Sequence, residues 1–314
     1  MTLSKETMKR EALIYNTAML NLPKNTLQFL FGVILFAMAG GDYDIMTCLI
    51  AASGLSIGLG AIYLFNDLTD LKEDRHNEMK IRWKAVANGT MSRNESMTLI
   101  KLFSITGIIL AFISGLNFFL IYLSVIGLNI CYSHPSIRWK ANSTLSVGAI
   151  ASLQVLKFSS GWFLFTRTIE GFPILFVMAL AIGYTLLFIY YKNDTENLKK
   201  LVIEDKKRVL PLSLTCILML LTSFFIYTFP AIGLSAIILG IPTVGLYFLT
   251  KNYIGKSVNV VFMYAGLSVL LLSFLLLNTP TVTAINQNMI DQNATVREQL
   301  RMSVEVIITG LSGR

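Results

Sequence analysis

Long apolar blocks alternate with short polar stretches along most of the chain. Within the blocks the apolar residues run on without the two-residue alternation of a half-buried strand, and block lengths cluster near the ~20 residues a helix needs to cross a hydrocarbon core. The pattern predicts about nine spans: Thr26–Gly41, Ile45–Phe65, Met97–Gly115, Asn117–Tyr132, Ser143–Thr166, Phe172–Tyr191, Pro211–Phe229, Ala231–Leu249 and Val258–Leu277. The expected fold class is therefore all-α, a polytopic bundle of transmembrane helices. Residues 1–25 form an N-terminal segment, 26–278 the transmembrane domain and 279–314 a polar tail. An outer-membrane barrel would need alternating segments of roughly 10 residues, which the chain lacks.

Composition sharpens this picture. Hydrophobic residues make up 54% of the chain and charged ones 14%, with mean hydropathy +0.64, outside the usual range of a soluble enzyme. Cys48, Cys131 and Cys216 sit apart inside apolar blocks, which suggests neither a disulfide framework nor a zinc site. Met1 to Asn25 is charged and mixed, unlike a cleavable signal peptide. The net charge of +8 invites a nucleic-acid reading, but the cations gather in alternate loops. The stretches 66–96, 133–142, 192–210 and 251–256 hold most of them, whereas the opposite connections hold only Arg167 before the tail. That asymmetry follows the positive-inside rule and puts the N-terminus and the charged loops in the cytoplasm. The plasma membrane is the expected location, and no nucleic-acid partner is expected.

The most informative stretch follows the second span: Asn66-Asp67-Leu68-Thr69-Asp70-Leu71-Lys72-Glu73-Asp74-Arg75-His76-Asn77. At 100° per residue, Asn66, Asp67, Asp70, Asp74 and Asn77 share one helical face. Crowded carboxylates repel one another unless a cation sits among them, and oxygen-only donors select a hard ion, so Mg²⁺ is the expected cofactor. Because Mg²⁺ keeps waters and favours one or two carboxylates plus substrate phosphates, the face suits a diphosphate. Lys80, Arg82 and Lys84 follow as candidate partners for its oxygens. The competing reading is a solvated acidic loop balanced by Lys72, Arg75 and Lys80; regular spacing at the mouth of an apolar bundle argues against it.

Asn66 to Asp74 fits the NDxxDxxxD pattern, and here the chain resembles the UbiA superfamily of intramembrane prenyltransferases. Ile81 to Gly89 is similar to that family's basic segment, and Tyr132-Ser133 with Arg138 and Lys140 to its Tyr-Ser and basic pair after the fourth span. Two departures stand out: Lys84-Ala85 replaces the usual Arg-Pro, and no clean second aspartate motif follows the sixth span. Asp194, with Asn197 and in line with Tyr190, is one candidate second metal edge; Glu204-Asp205 is the other. Asp74-Arg75-His76-Asn77, Leu156-Lys157 and Arg208-Val209-Leu210 look like the branch that transfers phosphoribose to polyprenyl phosphate. A lone cation in mid-span usually faces a cavity or partner, so Lys157 is expected to meet a phosphate group within the bundle.

The resemblance implies a membrane transferase. Asp67, Asp70, Asp74 and Asp194 would hold Mg²⁺; Asn66, Lys80, Arg82, Lys84, Tyr132, Arg138, Lys140 and Arg208 would line the substrate site; Lys157 would assist catalysis. The expected partners are a polyprenyl lipid or prenyl diphosphate, a diphosphate-bearing donor and membrane lipid. Either a prenyl group or phosphoribose would be transferred. A transporter or lipid-binding protein that recruits anions through its charged loops is the rival of another class.

Overall fold

The computed structural model describes residues 22–77, 81, 84–195 and 210–219, with 222, 298, 301 and 305. Among them every regular element is helical: α1 Leu22–Met38, α2 Ile45–Thr69, the single turn α3 Leu71–Asp74, α4 Arg93–Ile113, α5 Leu116–Ser133, α6 Ser143–Trp162 and α7 Ile174–Thr195. A 3₁₀ turn over Trp139–Ala141 precedes α6, and α8 covers Leu210–Met219. The first six expected spans thus correspond to helices and the seventh begins as one; the expected eighth and ninth lie outside the described residues. The helices α2, α4 and α5 are each long and apolar enough to cross a membrane.

Local chemistry fixes the helix ends. Asp44 caps α2 by accepting from the Thr47 amide at 2.7 Å. Ser92 and Glu95 form a reciprocal capping box at the start of α4, satisfying two amides that a helix leaves open. Gly115 adopts φ 122° between α4 and α5, a backbone state closed to most side chains.

The chain divides into two compact units, one holding Met1–Phe29 with Asp44–Ser160 and the other Leu30–Tyr43 with Gly161–Arg314. In the first, α2 meets α4 through glycines. A Cβ on Gly107 would fall 2.9 Å from the Gly58 Cα, and one on Gly54 would lie 3.1 Å from the Ala111 amide nitrogen. Tyr122 of α5, buried beside this crossing, fills the space that a Cβ on Gly58 would need. Lipid tails are as apolar as leucine, so close backbone approach and van der Waals contact hold such helices together. The opposite face of α4 exposes Leu102, Ile105, Ile109 and Phe112 at helical spacing, an outward apolar stripe suited to acyl chains. Below the cap of α4, Leu64, Ala85, Val86 and Met91 form a small core that ties the loop after α3 to the end of α2.

In the second unit, Phe36 meets Trp162 edge-on and stacks on Phe165, and Trp162 meets Phe172. Cys216 of α8 donates its thiol to the Ala179 carbonyl of α7 at 3.2 Å.

Candidate functional site

The acidic stretch does not continue α2 as one straight helix. Helical bonding persists through it, with the Asp70 amide donating to the Asn66 carbonyl and the Asp74 amide to the Asp70 carbonyl, both at 2.9 Å. Asp70 itself sits at φ −97° and ψ 5°, outside the helical well, between α2 and α3. This bend separates carboxylates that an ideal helix would align.

Asp67 and Asp74 turn inward to one nitrogen. The Lys84 ammonium lies 2.7 Å from Asp67 Oδ1 and 2.6 Å from Asp74 Oδ2. Asp74 is 1% exposed and Lys84 25% at the side chain. Asp70 turns to the other side, where Lys140 donates to its Oδ1 at 2.5 Å. Arg138 stands 3.9 Å from the same oxygen and donates to Glu73. Burial on its own pushes the Lys84 ammonium down, but the charge and hydrogen bond of Asp67, then those of Asp74, hold it above the usual 10.5. Lys84 is therefore held as a cation between two buried carboxylates.

The local sequence explains how the cations arrive. Lys84 is placed by the turn that follows it: Asn88-Gly89 with Gly89 at φ 77°, closed by the Thr90 amide donating to Asn88 Oδ1 at 2.9 Å and anchored by Ala85 and Val86 in the small core. Arg138 and Lys140 come from the loop between α5 and α6. Arg138 occupies the left-handed region at φ 39°, alone among the described non-glycine residues. The reversal lets two basic residues separated by Trp139 both reach Asp70, and a strained φ of this kind persists where surrounding contacts over-determine it.

Of the other residues singled out in the sequence, Tyr132 receives a hydrogen bond from Ser146 Oγ at 3.4 Å, which joins α5 to α6. Asn66 Oδ1 is buried and has no hydrogen-bond partner among the described residues. Lys157 is 5% exposed and donates to Asn25 Oδ1 at 3.0 Å. Asp194 lies in the last turn of α7. Lys80, Arg82, Arg208, Glu204 and Asp205 lie outside the described residues. Sequence reading passed over Glu73, the partner of Arg138, and over Asn25, Gln28, Tyr63 and Gln154. Polar residues one turn apart, Asn25 with Gln28 at the start of the first apolar block and Gln154 with Lys157 inside the fifth, were the available signal.

Among the described residues no three of His, Cys, Asp and Glu gather as a closed metal cage. The donor set nonetheless fits a shared hard cation. Two carboxylates already accept one positive charge between them, and the Asn66 oxygen, buried without a hydrogen-bond partner, would add a neutral donor at the same helix end. An ion that takes one or two carboxylates plus substrate oxygens needs no cage.

Comparison with known proteins follows the same lines. The sequence profile of the UbiA prenyltransferase family matches residues 27–285. No curated protein matches by sequence. A UbiA homolog from Archaeoglobus fulgidus bound to GPP and Mg²⁺ superposes with a TM-score of 0.61 at 16% identity, over 82% of this chain and 99% of that one. The Cd²⁺-bound form of that homolog gives 0.56 at 16% identity over 81% and 99%. A structure reported for digeranylgeranylglyceryl phosphate synthase gives 0.54 at 16% identity over 95% and 99%. At these identities the likeness is one of fold.

Proposed function

The chain belongs to the UbiA prenyltransferase family, and on that premise we propose that it is a Mg²⁺-dependent integral membrane transferase that ionises a prenyl diphosphate and passes its prenyl group to an acceptor. The observation that carries this reading is the arrangement of three carboxylates with Lys84, Arg138 and Lys140 at the end of a membrane-crossing helix. A relative of the same fold bound to GPP and Mg²⁺ supports it.

Asn66, Asp67, Asp70 and Asp74 would hold the ion, with Asp194 of α7 as a further candidate. When bound, the ion supplies charge neutralisation to the departing diphosphate. The chain's own cations share that work. Lys84, paired with Asp67 and Asp74, would be available to a diphosphate oxygen where those carboxylates hold the ion. Arg138 and Lys140, positioned by the reversed loop, face the same charge. Fixed cations aimed at a leaving group act where charge develops in the transition state, and in a water-poor bundle they are worth more than in bulk. Shielding by α2, α4 and α5 limits capture of the electrophilic carbon by water. Lys80, Arg82 and Arg208 belong to the same proposed diphosphate-binding set, and the charged loops face the cytoplasm.

The test is diphosphate release in detergent or reconstituted membranes, with geranyl diphosphate and with phosphoribosyl diphosphate as alternative donors. Release from geranyl diphosphate that requires Mg²⁺ and falls by at least 100-fold in Asp70→Asn supports prenyl transfer. Release confined to phosphoribosyl diphosphate overturns the prenyl donor in favour of phosphoribosyl transfer. Metal-independent turnover of neither donor, with intact folding, returns the chain to the class of transporters or lipid-binding proteins.

A further inference from the structure

The loop that carries Arg138 and Lys140 is built around His134, a residue without a part in the chemistry so far. Pro135 follows it in sequence, and a proline disfavours helical angles in the residue before it. His134 accordingly sits at φ −61° and ψ 131°, and α5 stops there. Its amide still donates to the Ile130 carbonyl at 2.7 Å, which fastens it to the last turn of the helix. Its carbonyl accepts the Ile137 amide at 3.0 Å and the Arg138 amide at 2.8 Å, curling the chain back. Any residue type could supply those backbone bonds.

The imidazole adds two contacts of its own. Its Nδ1 accepts the Ser136 amide at 3.3 Å, the same two-residue reach by which an asparagine side chain closes a turn. Its ring also stacks on Phe65, with centroids 6.3 Å apart and planes 17° apart. Phe65 belongs to α2 and directly precedes Asn66 and Asp67. One ring thus touches both halves of the charge cluster: the helix end that bears the carboxylates and the loop that brings their cations. The far end of that loop is fixed separately, where Asn142 Oδ1 accepts the Thr144 amide at 3.0 Å and the Leu145 amide at 3.1 Å. Between the two anchors Arg138 keeps its left-handed φ of 39°, a strained state that surrounding contacts must sustain. From there Arg138 reaches Glu73 and Lys140 reaches Asp70.

We propose that His134 is a positioning residue for the donor diphosphate: by accepting the Ser136 amide and stacking on Phe65, it sets the loop conformation that aims Arg138 and Lys140 at the site around Asp70. The inference rests on the reading of Asp70 and its cations as the donor site. His134 acts through the two cations and does not itself meet the substrate. A loose loop would carry the same charges but would have to order them at every binding event, and that cost falls on affinity for the diphosphate. The acceptor nitrogen and the ring make separable contributions, because different side chains retain one without the other.

The test measures equilibrium binding of inorganic diphosphate, and KM for geranyl diphosphate, on the full chain in detergent with Mg²⁺. His134→Phe keeps a ring and loses the acceptor, His134→Asn keeps an acceptor in the place of Nδ1 and loses the ring, and His134→Ala loses both. Losing the acceptor in His134→Phe should weaken diphosphate binding about 5-fold, the scale of one hydrogen bond. His134→Ala should weaken it further, and His134→Asn should lie nearest wild type. If His134→Ala does not fold, the comparison of His134→Phe with His134→Asn decides. In a chain already carrying Arg138→Met and Lys140→Met, His134→Phe should change affinity by less than about twofold, because residues that act through one another are not additive. Wild-type affinity in folded His134→Phe, or a loss of the same size with and without Arg138 and Lys140, overturns the assignment. Donor release that is unchanged in both Asp70→Asn and Lys140→Met overturns the donor site itself, and the role of His134 with it. A weakened Lys140→Met beside unaffected His134 variants removes only the role of His134.

Discussion

At the scale of single residues, Lys84 carries the clearest consequence. Its ammonium neutralises two buried carboxylates, so Lys84→Met should destabilise the protein by on the order of 2 kcal/mol, less than the ~3–5 kcal/mol of a fully buried broken pair, because Lys84 is partly exposed. Thermal unfolding in detergent measures this. If Mg²⁺ takes the same two carboxylates, 10 mM of the ion should restore most of the lost melting temperature in Lys84→Met and little in Lys84→Met combined with Asp67→Asn. The pH dependence has a definite sign. A cation whose folded pKa is raised contributes stability that is complete below 10.5 and is lost as pH climbs through the raised value. Wild type should therefore lose melting temperature in that alkaline window, and Lys84→Met should lack this component. The carboxylates, Arg138 and Lys140 were legible in the sequence because their types and spacing bear directly on charge. Their partition was not: that Asp67 and Asp74 share Lys84 while Asp70 takes Lys140 depends on the bend at Asp70, a departure from helical backbone angles at one residue that no residue pattern encodes.

At the scale of elements, the α2–α4 crossing makes a contrast that can be measured. Gly107→Ala puts a methyl 2.5 Å from the Tyr122 hydroxyl and 2.9 Å from the Gly58 Cα, so that both a buried side chain and a neighbouring backbone must shift. Overpacking of this kind costs about 1–3 kcal/mol, and equilibrium unfolding in mixed micelles should register it. Ile109→Ala, on the exposed stripe of the same helix, should change stability by less than about 0.5 kcal/mol, as surface substitutions do. Gly54 and Gly58 carry the small-xxx-small spacing that lets helices approach closely. That spacing does not name Gly107 or Tyr122 as what they pack against, because a helix face advertises its smallness locally while its partner is chosen by the crossing angle. Helix positions themselves were read closely: α2, α5 and α6 start within two residues of the apolar blocks that announced them. The early start of α4 at Arg93 comes from the capping box, which extends the helix through charged residues ahead of the apolar block.

At the scale of the whole molecule, α4 is long and apolar enough to cross a membrane, and such a crossing would put the loop around Asn88 and the turn around Leu116 on opposite faces. With Cys48, Cys131 and Cys216 replaced, Asn88→Cys should react with an impermeant thiol reagent from the cytoplasmic side only, and Leu116→Cys from the other; labelling of both from one side would reverse this topology. The sequence by itself determined that the chain is an all-helical membrane protein of the UbiA family and that its acidic stretch lies at a helix end. Those properties follow from block length, hydropathy and short-range spacing, which are local. Tertiary structure alone decided which cation answers which carboxylate and which glycine faces which backbone. It also brought Asn25, Gln28, Gln154 and Lys157, up to 132 residues apart, into buried hydrogen-bonded pairs. A buried amide looks like any other amide in a sequence; its partner is decided only when helices remote along the chain close around it.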